Sequence, residues 1–218
     1  MLRRLIVPTK QDGVGPQRTR RLVRPALVLA LLLVGTWSAG GSGDLTAAST
    51  ALPPIVSGLA VDPADGSLLR AGGGLFRSAD QGRSWTALSL PDALHPDTLR
   101  QVATTVKAPS SLYAAGPDVG IVRSDDRGQT WRSISDRLPS QAVGTFAVHS
   151  FRPDTVYAWI ARQGIFRTED GGGAWELMDQ GPPGAVVALA HSTLAGSMNT
   201  GWLYAATPDG PYLSMDCF

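Results

Sequence analysis

Any chemistry in this chain would fall to its carboxylates. Its 218 residues include 18 acids, three histidines and one cysteine. A lone Cys217 leaves no internal disulfide framework and no multi-cysteine zinc site. Splitting a glycosidic bond takes two carboxyl groups facing each other, about 5–9.5 Å apart. Acids in loop-like sequence that could supply them are Asp92, Asp97, Asp118, Asp136, Asp179 and Asp209. Asp118 (Gly-Pro-Asp-Val-Gly) and Asp209 (Thr-Pro-Asp-Gly-Pro) hold related positions two repeats apart and are the catalytic candidates. Pro-Asp before a small residue is also an ordinary turn sequence. His149 and His191 each close a strand-like run and could pair on a metal, but neither has a carboxylate ligand beside it in sequence. No metal and no cofactor is expected.

A second set of acids is periodic. Ser78-Ala-Asp80-Gln-Gly82-Arg-Ser-Trp85, Ser124-Asp-Asp126-Arg-Gly128-Gln-Thr-Trp131 and Thr168-Glu-Asp170-Gly-Gly172-Gly-Ala-Trp175 share the pattern [ST]-x-D-x-G-x-x-W, with aspartates 46 and 44 residues apart. A fourth copy opens with Ser214 and Asp216. These residues suit a turn better than a site. The glycine accepts positive φ without a Cβ penalty. The Asp and the Ser/Thr can fold back onto the turn's backbone N–H groups. Each Trp then buries a large ring against its surroundings.

Elements must bring each box to its turn. Ahead of every box lie three apolar runs separated by Gly, Pro and Asp, and a fourth begins at each Trp. The first runs are 56–61, 101–106, 145–149 and 185–190; the second are 67–71, 111–115, 155–160 and 202–206. Four short strands per roughly 45 residues is the signature of a β-propeller blade. The expected fold is all-β, a β-propeller of four-stranded blades at about 55–92, 99–138, 143–180 and 184–218, three full and a partial fourth. An incomplete propeller leaves blade faces open, lined by residues such as Leu59, Val61, Val187 and Leu189, and open to self-association. Residues 45–50 are a candidate for the missing outer strand of blade four.

The three boxes resemble the Asp-box (BNR) repeat of sialidases, sortilin-type propellers, xyloglucanase-type glycoside hydrolases and photosystem II assembly-factor-like propellers. The resemblance covers about residues 55–218 and implies the fold rather than an activity. It implies boxes on turns away from the catalytic face. A sialidase of this kind would need an arginine cluster, a Tyr–Glu nucleophile pair and an acid/base Asp. The only glutamates are Glu169 and Glu176, and Phe151-Arg152-Pro153 lacks one residue of the F-R-I-P motif. The expectation is a non-catalytic propeller binding a protein or glycan through its loop face. The alternative is a fragment of an Asp-box glycoside hydrolase, sialidase-like or xyloglucanase-like.

The charge is uneven. The net +1 combines a basic first 40 residues, rich in arginine at 18–24, with an acidic remainder whose only lysine is Lys107. Such a body repels phosphate backbones, so no nucleic-acid partner is expected. The basic run, the apolar stretch 26–34 and small residues at 38–43 make residues 1–40 an export signal or N-terminal membrane anchor, with 25–37 as the anchoring part. Residues 41–54 have linker composition. The body is therefore expected outside the cytoplasm, extracellular or in the cell envelope.

Overall fold

A computed structural model describes residues 2–4, 55–192 and 201–214. Residues 1–6 and 52–218 make one compact unit; a second unit, 7–51, lies outside the described residues. The first unit is all-β, four antiparallel four-stranded sheets arranged as propeller blades. Blade 1 is β2 (Gly58–Val61), β3 (Leu68–Ala71), β4 (Leu75–Ser78) and β5 (Thr86–Ala87). Blade 2 is β6 (Gln101–Thr104), β7 (Leu112–Gly116), β8 (Gly120–Ser124) and β9 (Arg132–Ser133). Blade 3 is β10 (Val143–Val148), β11 (Val156–Ile160), β12 (Gly164–Thr168) and β13 (Glu176–Asp179). Blade 4 contains β14 (Ala188–Ser192), β15 (Trp202–Thr207) and β16 (Gly210–Ser214). Its outer strand is β1 (Leu2–Arg4), paired antiparallel with β16. The slot considered for residues 45–50 is thus filled from the chain's start, and residues 45–50 themselves lie outside the described set. Two short 3-10 turns, Asp92–Leu94 and Pro96–Thr98, join blades 1 and 2.

Burial along the strands follows from what each sheet faces. All five residues of β7, and all five of β11, are buried, because blades lie against both sides. In β15 burial alternates, since among the described residues a blade packs on one side only. The innermost strands β2, β6, β10 and β14 adjoin in that order. Three apolar clusters fill the three junctions, each built from one face of a blade and the opposing face of the next. Between blades 1 and 2, Leu69, Ala71 and Leu75 meet Leu112, Ala114 and Val122. Between blades 2 and 3, Tyr113, Ala115 and Ile121 meet Val156, Ala158 and Phe166. Between blades 3 and 4, Tyr157, Trp159 and Ile165 meet Leu203, Ala205 and Tyr212. The strand ladders place these triads in equivalent register.

The outward faces of the terminal blades are less covered. Leu59, Val61 and Val187 are 63%, 55% and 60% exposed, as expected of open faces. Leu189 departs from that expectation. It is 8% exposed because it pairs with Ala205 and turns into the junction with blade 3.

Candidate functional site

The three boxes fold to one geometry. In the first, the Ser78 hydroxyl accepts the Gly82 N–H at 2.7 Å and donates to Asp80 Oδ1 at 2.8 Å. Asp80 also accepts the Ser84 N–H at 2.9 Å and the Ser84 hydroxyl at 2.6 Å. Ser124, Asp126, Gly128 and Thr130 repeat the same bonds in the second box. In the third, Thr168, Asp170, Gly172 and Ala174 repeat all but the last, since Ala174 has no hydroxyl. The glycines take φ of 88°, 94° and 98°. At Gly172 a Cβ would also lie 2.1 Å from the Ile134 carbonyl of blade 2, so that position is closed to side chains twice over. The residue before the glycine is left-handed too, including the non-glycines Gln81 and Arg127.

Electrostatics in the boxes follow from these donors. The Ser84 hydroxyl and N–H, with Ser78, hold the Asp80 carboxyl down at about 2. The Thr130 hydroxyl and N–H, with Ser124, do the same for Asp126, also at about 2. Asp170 is lowered by the Ala174 N–H and the Thr168 hydroxyl. Ser214 opens the fourth copy at the end of β16; Asp216 lies outside the described residues.

The box tryptophans are half-buried. Trp131 packs on the cluster between blades 1 and 2, and Trp175 on the cluster between blades 2 and 3. The indole N–H of Trp85 and of Trp131 donates to the box glycine carbonyl, at 3.1 and 3.2 Å. Trp175 donates instead to the Ile134 carbonyl of the previous blade at 2.9 Å.

Sequence reading missed the arginine one residue before each box. Arg77 donates to buried Asp62 at 2.7 Å and to the Arg127 carbonyl of blade 2 at 3.3 Å. Arg127 itself reaches Asp62 at 3.0 Å and also binds Asp65. Burial raises the Asp62 carboxyl, but the Ala64 N–H and these two arginines outweigh it and leave it lowered. Arg123 repeats the device, donating to Asp125 at 2.6 Å and to Asp154 of blade 3 at 2.5 Å. Its guanidinium also lies over the Tyr113 ring, whose hydroxyl donates to the Pro153 carbonyl of blade 3 at 2.6 Å. Burial pushes the Tyr113 phenol up to about 12. The recurrence of Arg77, Arg123 and Arg167 one residue before each box was visible in the sequence; their partners were not.

The histidines meet, but as a stacked pair. His149, 2% exposed, lies 4.0 Å from His191 between ring centres. Nδ1 of His149 accepts the Phe151 N–H at 3.0 Å, and Nδ1 of His191 accepts the Ser150 N–H at 3.0 Å. The His149 bond stays within the turn after β10, the His191 bond ties β14 to that turn, and among the described residues no cluster of three metal-ligating side chains occurs. Arg152 sits exposed in the turn that His149 organises, its N–H 3.2 Å from the same Nδ1.

A central groove of about 350 Å³ runs between the innermost strands of all four blades. Gly58, Leu59, Gln101, Thr104, Thr145 and His191 are among its lining residues, and among the described residues no carboxylate lines it. Asp118 and Asp209 lie outside it, exposed at the β7–β8 and β15–β16 hairpin tips. The antiparallel order of each blade sets those tips opposite the box turns. Asp136 and Asp179 are engaged locally, by the Ser133 hydroxyl at 2.5 Å and the Gly181 N–H at 2.7 Å.

No family model and no curated protein matches this chain. Solved structures do. The GH74 xyloglucanase of Xanthomonas campestris is 24% identical, with a TM-score of 0.57 over 74% of this chain and 29% of its own. The GH74 enzyme of Niastella koreensis is 17% identical, at 0.54 over 74% and 28%. The extracellular domain of a putative hybrid two-component system from B. thetaiotaomicron is 17% identical, at 0.52 over 72% and 19%. The chain spans less than a third of the length of each, and at these identities the likeness establishes the propeller fold alone.

Proposed function

We propose that this chain is an Asp-box propeller that is non-catalytic and works outside the cytoplasm, secreted or membrane-anchored, binding a protein or glycan through the face that carries the hairpin tips and inter-blade connections. The observation carrying this reading is the groove lining. A glycosidase needs two carboxyls across one cleft, and among the described residues none lines the central groove, while Asp118 and Asp209 stand apart on separate hairpins. The box aspartates, spent on their own turns, are poor candidates for proton transfer. The test is turnover by the full chain of fluorogenic sialosides and β-glucosides and of xyloglucan. No turnover is expected. Hydrolysis that disappears in Asp118→Asn or Asp209→Asn would instead establish the glycoside hydrolase alternative.

Export and the β1 pairing exclude each other. Cleavage near Ala39 or Gly40 would discard Leu2–Arg4, and an uncleaved anchor at 25–37 would hold that strand across the membrane from the body. On the export reading, the exported body lacks the Leu2–Arg4 pairing on β16. Cell fractionation with proteolysis from outside checks this. A body digested in intact cells is expected; one protected in the cytoplasm, with Leu2–Arg4 in place, overturns the export reading.

A further inference from the structure

We propose that the forward face of blade 4 docks on the backward face of blade 1 in a second copy of this chain, two copies closing head to tail into one ring. The inference goes beyond loop-face binding and holds whatever the loop face binds. Its ground is continuity with an interface the chain already makes three times. Each internal junction sets a forward triad from the second and third strands of one blade against a backward triad of the next. The ladder register assigns the unused forward triad to Tyr204, Ala206 and Pro211, and the unused backward triad to Leu68, Arg70 and Phe76.

The two faces match in kind. Tyr204 occupies the register of Tyr113 and Tyr157, and Ala206 that of Ala71 and Ala115. Tyr113 crosses its junction to the Pro153 carbonyl, three residues before β11. The carbonyl in that place on blade 1 belongs to Asp65, three residues before β3, so the Tyr204 hydroxyl has a partner waiting on the second copy. Leu59 and Val61 share the backward face with Arg70 and Leu68, and they are the most exposed large apolar residues on it.

The forward face carries Pro211 where the internal triads have Leu75, Ile121 and Ile165, and the backward face carries Arg70 where they have Ala114, Ala158 and Ala205. The Arg70 guanidinium is already laid over the Phe76 and Trp85 rings, 5.2 and 5.6 Å from their centres, and donates to the Ile55 carbonyl. Arg70 is only 6% exposed, so most of its desolvation is complete before docking. The residue opposite is Ala206, whose methyl leaves space for the larger side chain. Two such contacts close under a two-fold axis, leaving no free blade face, and the ring of eight blades falls within the usual range for propellers.

Light scattering on the full chain tests the idea through complementation. Wild type is expected at twice the chain mass. Ala206→Arg spoils only the forward face and Leu59→Arg only the backward face; each alone should run as a monomer. Mixed, the two variants retain one intact pair of faces and should form a heterodimer. Both replaced residues are exposed, and near-ultraviolet circular dichroism confirms that each variant is folded; Val61→Arg stands in for Leu59→Arg if that one is not. A monomeric wild type overturns the proposal. So does an oligomer that both variants preserve, which would place association elsewhere, for example in residues 26–34. Folded monomeric variants that fail to combine would also overturn it, because the contact would then not be head to tail.

Discussion

Removing the Ser124 hydroxyl tests whether the box is held by its side chains. Ser124 is 1% exposed, and its oxygen accepts the buried Gly128 N–H at 2.7 Å while donating to Asp126 Oδ1 at 2.7 Å. Ser124→Ala strands the Gly128 N–H where water cannot replace the lost acceptor. A buried unsatisfied donor costs about 1–3 kcal/mol. We expect a loss of about 2 kcal/mol, which for a domain of this size lowers the melting temperature by about 4–8 °C. Two companions isolate the cause. Thr130→Val removes an exposed hydroxyl from the same carboxylate and should change stability by less than about 0.5 kcal/mol. Ser124→Thr should recover most of the loss, because Thr168 already makes the equivalent bonds in the third box. Urea denaturation followed by tryptophan fluorescence reads all three. If Ser124→Ala unfolds at the wild-type midpoint, the hydroxyl does not hold the turn and the account of the box fails.

Acid should weaken the fold in a defined window. Asp80 and Asp126 fall from 3.8 to about 2 on folding, and Asp170 and Asp62 are also lowered. Groups with depressed folded values contribute stability above the unfolded value and lose it as pH falls through the folded one. The urea midpoint should therefore stay level down to about pH 4 and drop toward about pH 2; a midpoint unchanged across that window would refute the assignment. Trp131→Phe and Trp175→Phe each remove one indole hydrogen bond worth about 0.5–1.5 kcal/mol, and Trp175→Phe should be the costlier, since its bond is the shorter and reaches a carbonyl of another blade. Equal losses in the two variants would mean that the bond to Ile134 adds nothing across the junction.

The repeat was legible because its markers are local. Gly82, Gly128 and Gly172 meet a backbone demand set within each turn, and the strands between turns came out within a few residues of the apolar runs. Trimming was greatest at the innermost strands, where 56–61 became Gly58–Val61. The cross-blade bonds were not legible. Arg123 and Asp154 lie 31 residues apart and meet only because blades 2 and 3 stack. The stacking of His149 on His191 depends in the same way on β10 lying beside β14. Leu189 looked as open-faced as Val187 because residues two apart share a face of a regular strand; Val187 precedes β14 and stands outside that alternation. Gln81 and Arg127 take positive φ with no glycine to announce it; the following glycine and the Ser hydroxyl hold them there.

The acids at the most conspicuous spacing are also those least able to do chemistry. A general acid must hold its proton near the working pH, and a nucleophile needs an oxygen that can leave its partners. Asp80 and Asp126 have both oxygens occupied by donors within four residues, and those donors favour the ionised form. Each bond that makes the box a firm turn removes a lone pair that catalysis would require. Asp170 tests the rule from within: without a hydroxyl at Ala174 it keeps fewer donors, yet the Thr168 hydroxyl and the Ala174 N–H still pull it down. Periodicity of this kind marks what every blade must solve alike, the reversal between its third and fourth strands. What sets one propeller apart from another has to lie where the repeats differ, and here those places are the hairpin tips at Asp118 and Asp209, the Arg70 face of blade 1 and the Tyr204 face of blade 4.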